Sequence, residues 1–189
     1  MTRIITKAEI LATLPGIDLV ESMEAAFVAY SSGLAIVPPV GELLFESPPG
    51  DVHIKYGYVR GEPYYVVKVA SGFYNNPALG LPTGNGLMLL FSQATGALEA
   101  VLLDHGLLTD ERTAAAGAVA AKYLAPQQPD CIGIVGTGAQ AELQLRHLAA
   151  VSSCRDVLVW GRSNSHAEGF CERLADSPFQ ITVASNIDA

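Results

Sequence analysis

The chain of 189 residues is long enough for one large domain or two small ones, and half of its residues are hydrophobic, so a packed core is expected. The formal net charge of −8 argues against nucleic acid and against an anionic membrane surface as partners. The three cysteines, an odd number without CxxC spacing, favour a reduced, intracellular setting.

Signals for targeting, membrane insertion and metal binding are missing from the sequence. Residues 1–7 have neither the apolar core nor the small-residue cleavage site of a signal peptide. The apolar runs are too short and too often interrupted to span a bilayer. The four histidines lack ligand spacing, and there is no G-x-S-x-G elbow. We therefore expect a cytoplasmic protein without a metal and without a membrane partner.

The hydrophobic period changes from helical to alternating after the N-terminal segment. Apolar residues over 8–31 recur at helical spacing, with a break at Pro15-Gly16 and an end at Gly33. From Gly41 to Leu103 the period is two, which predicts a largely antiparallel sheet. Its predicted strands cover residues 43–45, 52–60, 64–70, 87–92 and 97–103. Tight hairpin turns are expected at residues 61–62 and 94–96.

Alternation along these strands assigns three basic side chains to faces of the sheet. His53 and Lys55 share one face of their strand. Lys68 shares a face with the uncharged residues of its own strand, where burying an unpaired ammonium group is costly. The alternative is an edge-strand lysine that blocks aggregation. Periodicity does not separate these two interpretations.

A helix is predicted after the sheet, from Thr109 through an alanine-rich run to residue 125, where Pro126 stops it. Thr109 suits the N-cap, and the two acidic residues that follow it favour the helix dipole. Arg112 opposes that dipole in the first turn. It is either offset by its acidic neighbours or kept there to hold an anionic ligand. Residues 126–130 form the best candidate linker.

The stretch after the linker predicts a phosphate-binding corner. Residues 131–135 are typical of a buried strand. The motif G-x-G-x-x-A follows them, and after it the apolar residues recur at helical spacing. Gly136 permits the tight turn, Gly138 lets the backbone approach a pyrophosphate, and Ala141 keeps the helix close to the strand. The helix N-terminus offers N–H groups and a positive dipole end to the anion. The predicted cofactor-binding set there also includes Thr137, Ala139 and Gln140.

Three further elements complete the predicted pattern. They are a strand over residues 157–160, a helix over about 163–175 and a strand over Gln180–Val183. The order β-α-β-α-β is that of one mononucleotide-binding half of a dinucleotide fold.

Several segments together resemble one known family more specifically than the glycine corner does alone. They are Asn76 and residues 67–73, 80–83, 108–115, 120–125 and 136–141. In them the chain resembles the ornithine cyclodeaminase/mu-crystallin family. The resemblance implies an α+β substrate and dimerisation domain with an antiparallel sheet over residues 1–125, followed by an incomplete α/β Rossmann domain over residues 126–189. It also implies a homodimer formed through the N-terminal sheet.

The resemblance implies hydride transfer between the α-carbon of a small amino acid and a bound nicotinamide. The resulting imine is cyclised with loss of ammonia, hydrolysed, or formed in reverse by reduction. Lys68 matches the family's active-site lysine, Arg112 its carboxylate-binding arginine, and Thr83 a threonine near substrate and nicotinamide. Such a cation pair would fix a carboxylate and polarise the developing imine. The alternative is a non-catalytic, mu-crystallin-like protein that binds NADPH or another small molecule.

Two departures from the family's pattern concern charge. Many members carry an arginine where this chain has Val40, so we expect His53 or Lys55 to supply the lost charge. An NAD site usually has Asp or Glu after its second strand, and residues 159–164 contain neither. Arg162 with Ser163 suits a 2′-phosphate instead, so NADP(H) is the preferred cofactor and NAD(H) a possible one.

A third departure concerns length. Members of the family continue through a second mononucleotide half, which carries the general-base aspartate, so no residue of this chain is assigned to that role. The first Rossmann strand would then have an open edge, which invites pairing with another chain. We expect a truncated form that is weakly active or inactive by itself.

Overall fold

The computed structural model describes residues 1–187. The strands in this range are β1 (Arg3–Thr6), β2 (Ala35–Ile36), β3 (Gly41–Glu46), β4 (Pro49–Val59), β5 (Tyr64–Phe73), β6 (Gly84–Ser92), β7 (Leu98–Leu103), β8 (Ile132–Val135), β9 (Asp156–Trp160) and β10 (Gln180–Val183). The α-helices are α1 (Lys7–Thr13), α2 (Leu19–Ser31), α3 (Leu107–Leu124), α4 (Ala139–Leu148) and α5 (Asn164–Arg173). Single 3-10 turns cover Leu14–Gly16 and Asn76–Leu79.

The described residues form two compact units. The first comprises Met1–Asp18 and Ala25–Thr109, and the second comprises Leu19–Glu24 and the residues from Asp110 onward. The predicted boundary at residue 125 lies after α3, whereas the compact units divide within its first turn.

The first unit is built on a seven-stranded sheet in the order β1-β7-β6-β5-β4-β2, with β3 also paired to β4. The four long central strands are antiparallel neighbours, as predicted from the alternating pattern. The edge strand β1 pairs with β7 in parallel and was not predicted. It is only four residues long and runs directly into α1, which begins at a capping box of Thr6 and Glu9.

The antiparallel register gives the central sheet two chemically different faces. One, here called the lysine face, carries His53 and Lys55 on β4, Lys68 and Ala70 on β5, and Met88 on β6. The other, here called the apolar face, carries Tyr56 and Tyr58 on β4, Val67 and Val69 on β5, and Leu87 and Leu89 on β6. The face assignments predicted for β4 and β5 agree with this register.

The hairpin turns lie where the sequence predicts them. Gly61 has a φ of 87° between β4 and β5, and Gly96 has a φ of 71° between β6 and β7. Both values lie in the left-handed region, which glycine enters without a Cβ penalty. The predicted break at Pro15-Gly16 is also present, as the 3-10 turn that separates α1 from α2.

Helix α3 begins earlier than predicted, and Thr109 is not its N-cap. The carboxylate of Asp104, which is 1% exposed, accepts from the backbone N–H of Leu108 at 2.9 Å. His105 and Gly106 both have positive φ, 52° and 87°, and turn the chain into the helix at Leu107. Arg112 therefore lies in the second turn of α3 and not in the first. The helix dipole opposes a cation less strongly in the second turn.

The second unit contains a parallel sheet in the order β10-β9-β8, with α4 and α5 as the connections between its strands. These elements agree with the predicted β-α-β-α-β pattern to within a few residues at their ends. The core between sheet and helices consists of Leu145, Val157, Val159, Ala167, Phe170, Leu174 and Phe179. A smaller cluster joins Val20 of α2 to Ala118 and Val119 of α3.

No helix within residues 1–187 is long and apolar enough to cross a membrane.

Candidate functional site

Lys68 lies on β5, an interior strand of the first unit's sheet. The strand order therefore excludes the edge-strand interpretation, because β4 and β6 flank β5 on both sides. Lys68 is partly buried, and its Nζ donates to the Thr109 hydroxyl oxygen at 3.2 Å. Thr109 thus anchors the lysine instead of capping the helix. Nothing in the local sequence indicates this contact, which joins residues 41 positions apart.

Lys55 stands directly opposite Lys68 in the register of β4 and β5. The two side chains therefore emerge from the same face of the sheet, with Cβ atoms about 5 Å apart for a direct cross-strand pair. Lys55 is exposed. Its ammonium group makes no hydrogen bond or ion pair with any residue in the range 1–187.

His53 shares the lysine face but is held by two carboxylates. Its Nε2 lies 3.0 Å from Glu42 Oε1, and its Nδ1 lies 3.2 Å from Asp51 Oδ1. The Tyr74 hydroxyl also donates to Asp51, and this hydrogen bond raises the pKa of Tyr74 above its ordinary value. Both ring nitrogens of His53 are engaged within the protein.

Thr83 precedes β6 in a turn that is fixed by backbone contacts. Its carbonyl oxygen accepts from the N–H of Phe73 at 2.9 Å, and the side-chain amide of Asn76 donates to the carbonyl of Pro82 at 2.9 Å. The turn places Thr83 at the end of the pairing between β5 and β6, next to Gly84 and Gly72.

Arg112 in the second unit is not offset by its acidic neighbours. Asp110 accepts hydrogen bonds from Gln140 at 3.2 and 3.1 Å, through its carbonyl and its carboxylate. Glu111 pairs with His147 of α4 at 2.9 Å. The guanidinium of Arg112 is exposed and has no hydrogen bond or ion pair with the described residues. Its direct offset by Asp110 and Glu111 is therefore not observed, and a role toward an anionic ligand stays a prediction.

Gln140, included in the predicted cofactor-binding set, connects α4 to α3 through these bonds to Asp110. Its Oε1 is buried and has no hydrogen-bond partner within the described part of the chain.

The glycine corner has the predicted strand, turn and helix. Gly136 has a φ of 120°, and its N–H donates to the carbonyl of Trp160 at 2.8 Å, which joins the end of β8 to the end of β9. Gly138 is the N-cap of α4 and supplies no side-chain cap. A Cβ placed on Gly138 would meet no atom within 4 Å. The backbone there can be approached closely, as a pyrophosphate requires.

A cleft of about 640 Å³ opens at this corner. Its lining residues are Val135, Gly136, Thr137, Gly138, Trp160, Gly161, Arg162, Ser163 and His166. The predicted residues Arg162 and Ser163 are thus brought together with the glycines, and among the described lining residues there is no carboxylate. Ser163 is also the N-cap of α5, and its hydroxyl lies 2.9 Å from that of Ser165.

Sequence reasoning missed several contributors to this cleft, including three side chains that can donate hydrogen bonds. Trp160 and His166 line it, and Arg173 braces it by donating to the Thr137 carbonyl at 3.1 Å. Arg173 is held in turn by Glu142 at 3.0 Å. The first two flank the predicted cofactor residues in the sequence and could have been found from that position. The Arg173 contact spans 36 residues and leaves no local signal.

Within residues 1–187 no group of three or more His, Cys, Asp or Glu side chains is arranged to hold a metal ion.

Comparison with known proteins identifies consistent relatives. The model of the ornithine cyclodeaminase/mu-crystallin family matches residues 2–189. An uncharacterized cyclodeaminase of Sinorhizobium fredii is 42% identical over 187 residues, which cover 97% of this chain and 56% of the relative.

Solved structures show the same fold. The Δ1-pyrroline-2-carboxylate reductase of Thermococcus litoralis, in complex with NADH and L-proline, matches with a TM-score of 0.91 and 28% identity, over 98% of this chain and 58% of the other. An archaeal alanine dehydrogenase dimer with bound NAD matches with a TM-score of 0.86 and 32% identity, over 97% and 56%. The chain thus spans a little more than half the length of the relatives it matches.

Proposed function

The chain belongs to the ornithine cyclodeaminase/mu-crystallin family, and from that premise we propose that it serves hydride transfer between the α-carbon of a small amino or imino acid and a nicotinamide dinucleotide. The reaction passes through an imine, as cyclising deamination, oxidative deamination or imine reduction. The observation that carries the proposal is Lys68, an ammonium group on an interior strand that is fixed by Thr109. Partial burial of an ammonium group costs free energy, so a lysine on an interior strand indicates that its charge has a function.

Lys68 and Arg112 are the proposed catalytic and substrate-holding residues. The planar guanidinium of Arg112 suits a bidentate contact with the α-carboxylate, and its acidic neighbours leave it available for that contact. The ammonium group of Lys68 would donate to the substrate and oppose the charge that develops as the imine forms. Thr83 is proposed to position substrate and cofactor from its turn before β6.

The glycine corner fits a dinucleotide. We propose that residues 126–189 provide the first mononucleotide-binding half, with Gly136, Thr137, Gly138 and Ala139 around the pyrophosphate. The bound dinucleotide supplies the hydride acceptor or donor. Arg162 and Ser163 line the same cleft and favour a 2′-phosphate, so NADP(H) is the proposed preference and NAD(H) the weaker ligand.

The apolar face of the first unit's sheet is the proposed dimer interface. Tyr56 and Tyr58 are 43% and 40% exposed there, and a stacked pair, Tyr65 with Phe91 at 4.9 Å, extends the same face. An apolar sheet face with exposed aromatic side chains is typical of an interaction site. The similar archaeal alanine dehydrogenase is a dimer. Light scattering of the purified protein would give the mass of two chains if this face pairs with a second copy.

The activity is tested by incubating the purified protein with NADP⁺ or NAD⁺ and a panel of amino acids, and with NADPH or NADH and cyclic or linear imines. We expect a weak, substrate-dependent change in nicotinamide absorbance, which is lost in Lys68→Met and retained in the control Lys7→Met on α1. Absence of turnover with every substrate would contradict the proposal. Dinucleotide binding without turnover would favour a binding protein instead.

A further inference from the structure

The turn after β8 and the turn after β9 lie side by side at the glycine corner. The N–H of Gly136 donates to the carbonyl of Trp160 at 2.8 Å, which joins the two strand ends. Thr137 follows the first of these residues and Gly161 follows the second. Both line the cleft of about 640 Å³. The middle residue of the glycine motif is thus brought next to the residue that follows the second strand.

Thr137 occupies the space that a side chain at position 161 would need. A Cβ placed on Gly161 would lie 2.8 Å from Thr137 Cγ2 and 3.7 Å from its Oγ1. Carbon atoms in favourable contact are about 3.5 to 4.0 Å apart, so such a Cβ would collide with the methyl group. The φ of Gly161 does not lie in the left-handed region, so the backbone itself does not require glycine. The collision with Thr137 is therefore the reason that this position suits glycine.

The turn that carries Thr137 is held from two sides. Arg173 of α5 donates to the Thr137 carbonyl at 3.1 Å and is itself held by Glu142 of α4 at 3.0 Å. The hydrogen bond from Gly136 to Trp160 holds the turn against the end of β9. Threonine is β-branched and has few χ1 rotamers. A collision with its methyl group is therefore costly to relieve, whether by the backbone or by the side chain.

The residue after the second strand is the one that distinguishes the two nicotinamide cofactors in dinucleotide folds. An NAD site has Asp or Glu there to bind the ribose hydroxyls, and such a carboxylate repels a 2′-phosphate. Here β9 ends at Trp160, and Gly161 leaves the position without a side chain. Arg162 follows directly and lines the same cleft. The contact with Thr137 therefore bears on the choice of cofactor.

We infer that Thr137 and Gly161 form a specificity-determining pair, in which the methyl group of Thr137 keeps a carboxylate out of position 161 and so leaves room for the 2′-phosphate of NADP(H). The inference rests on the proposed function, because it requires that the cleft binds a nicotinamide dinucleotide. It gives the side chain of Thr137 a role that is separate from the pyrophosphate contact of its backbone.

The inference is tested by fluorescence titration of NADPH and NADH into Gly161→Asp, alone and combined with a change at Thr137. Gly161→Asp alone should weaken NADPH by at least about tenfold and should not tighten NADH, because the collision displaces the new carboxylate. Thr137→Ser removes only the methyl group. With it, the same Asp should bind NADH at least about tenfold more tightly than with Thr137, the effect of one charge-assisted hydrogen bond. Thr137→Val keeps the methyl group, is the matched control, and should give no such gain.

Gly161→Ala tests the collision without a charge, whether or not Gly161→Asp folds. It should lower the melting temperature when Thr137 is present and lower it much less when combined with Thr137→Ser. Gly16→Ala is the control, since a Cβ there would meet no atom within 4 Å, and it should melt no lower than wild type. An equal loss with Thr137 and with Ser at that position would overturn the inference.

Failure of the inference and failure of the proposed function are distinguishable. If Gly161→Asp binds NADH equally well with and without Thr137→Ser, the inference is wrong while the proposed function stands. The same conclusion follows if wild type binds NADH more tightly than NADPH, because the missing carboxylate then does not set the preference. If wild type binds neither dinucleotide, the proposed function fails together with the inference.

Discussion

The Nζ atom of Lys68 lies 3.2 Å from the hydroxyl oxygen of Thr109, so a strand in the middle of the sheet is tied to the first turn of α3. Thr109→Val removes the acceptor with little change in shape and should lower the free energy of unfolding by about 1.5 to 3 kcal/mol, as for a hydrogen bond to a charged group. Thr109→Ser retains the hydroxyl and is the matched control. Urea denaturation measures both. Equal stability of the Val and Ser variants would show that the contact contributes nothing.

Arg112 is predicted to act through the geometry of its guanidinium and not through charge alone. Arg112→Lys keeps the charge but loses the planar fork, so substrate affinity should fall by about tenfold or more, with cofactor affinity unchanged. Titration of amino acid and of dinucleotide separates the two effects. The control is Arg60→Lys, an exposed arginine directly after β4. The assignment fails if Arg112→Lys binds the amino acid as wild type does.

Arg162 is predicted to decide between the two nicotinamide cofactors. Arg162→Leu removes the cation from the cleft and should weaken NADPH by about tenfold while NADH changes little, because only NADPH carries the 2′-phosphate. Fluorescence titration with each cofactor gives both affinities, and NADH serves as the internal control. A loss of the same size for both cofactors would place Arg162 elsewhere than at the 2′-phosphate. Tighter binding of NADH than of NADPH by wild type would overturn the preference itself.

The capping box of α1 should make stability depend on pH. Hydrogen bonds from the backbone N–H and then the hydroxyl of Thr6 lower the pKa of Glu9 below its ordinary value of 4.5. Because the pKa of this carboxyl is lower in the folded than in the unfolded state, its carboxylate stabilises the folded protein at a pH above the unfolded-state pKa. This stabilisation is lost as the pH falls through the folded-state pKa. Glu9→Ala should therefore be less stable than wild type at neutral pH and equally stable in acid. Thermal melts at both pH values measure this, and Glu62→Ala is the control. The prediction is wrong if the difference in melting temperature between Glu9→Ala and wild type does not change with pH.

The elements that the sequence predicts well are those with a strong local period. The alternation of Val, Tyr and Leu from β4 to β7 identifies the central strands, and the glycine corner identifies β8, the turn and α4. Strands β1 and β2 were missed because they are only four and two residues long, which is too short to show a hydrophobic period. The predicted start of α3 was wrong because Thr109 fits the usual residue preference for an N-cap. The carboxylate that binds the first turn belongs instead to Asp104, which lies before a left-handed turn.

The environment of the candidate site depends on pairings that no local pattern contains. Whether Lys68 occupies an edge or an interior strand is decided only by strand order. Arg112 has no ion pair with Asp110 or Glu111 because these two carboxylates contact Gln140 and His147 of α4. The engagement of His53 Nε2 follows from Glu42, which belongs to another strand. The residue types were therefore predictable, while their partners required the fold.

The central claim is that a hydride moves between a substrate α-carbon and a nicotinamide held by this protein. The most direct measurement uses amino acids deuterated at the α-carbon, including aspartate, alanine, proline and ornithine, with NADP⁺ or NAD⁺ and the purified protein. Mass spectrometry of the recovered reduced cofactor reports whether the label has moved. Deuterium is expected in the nicotinamide ring with at least one of these substrates, and none is expected with Lys68→Met. Tight cofactor binding without any transfer of label would contradict it.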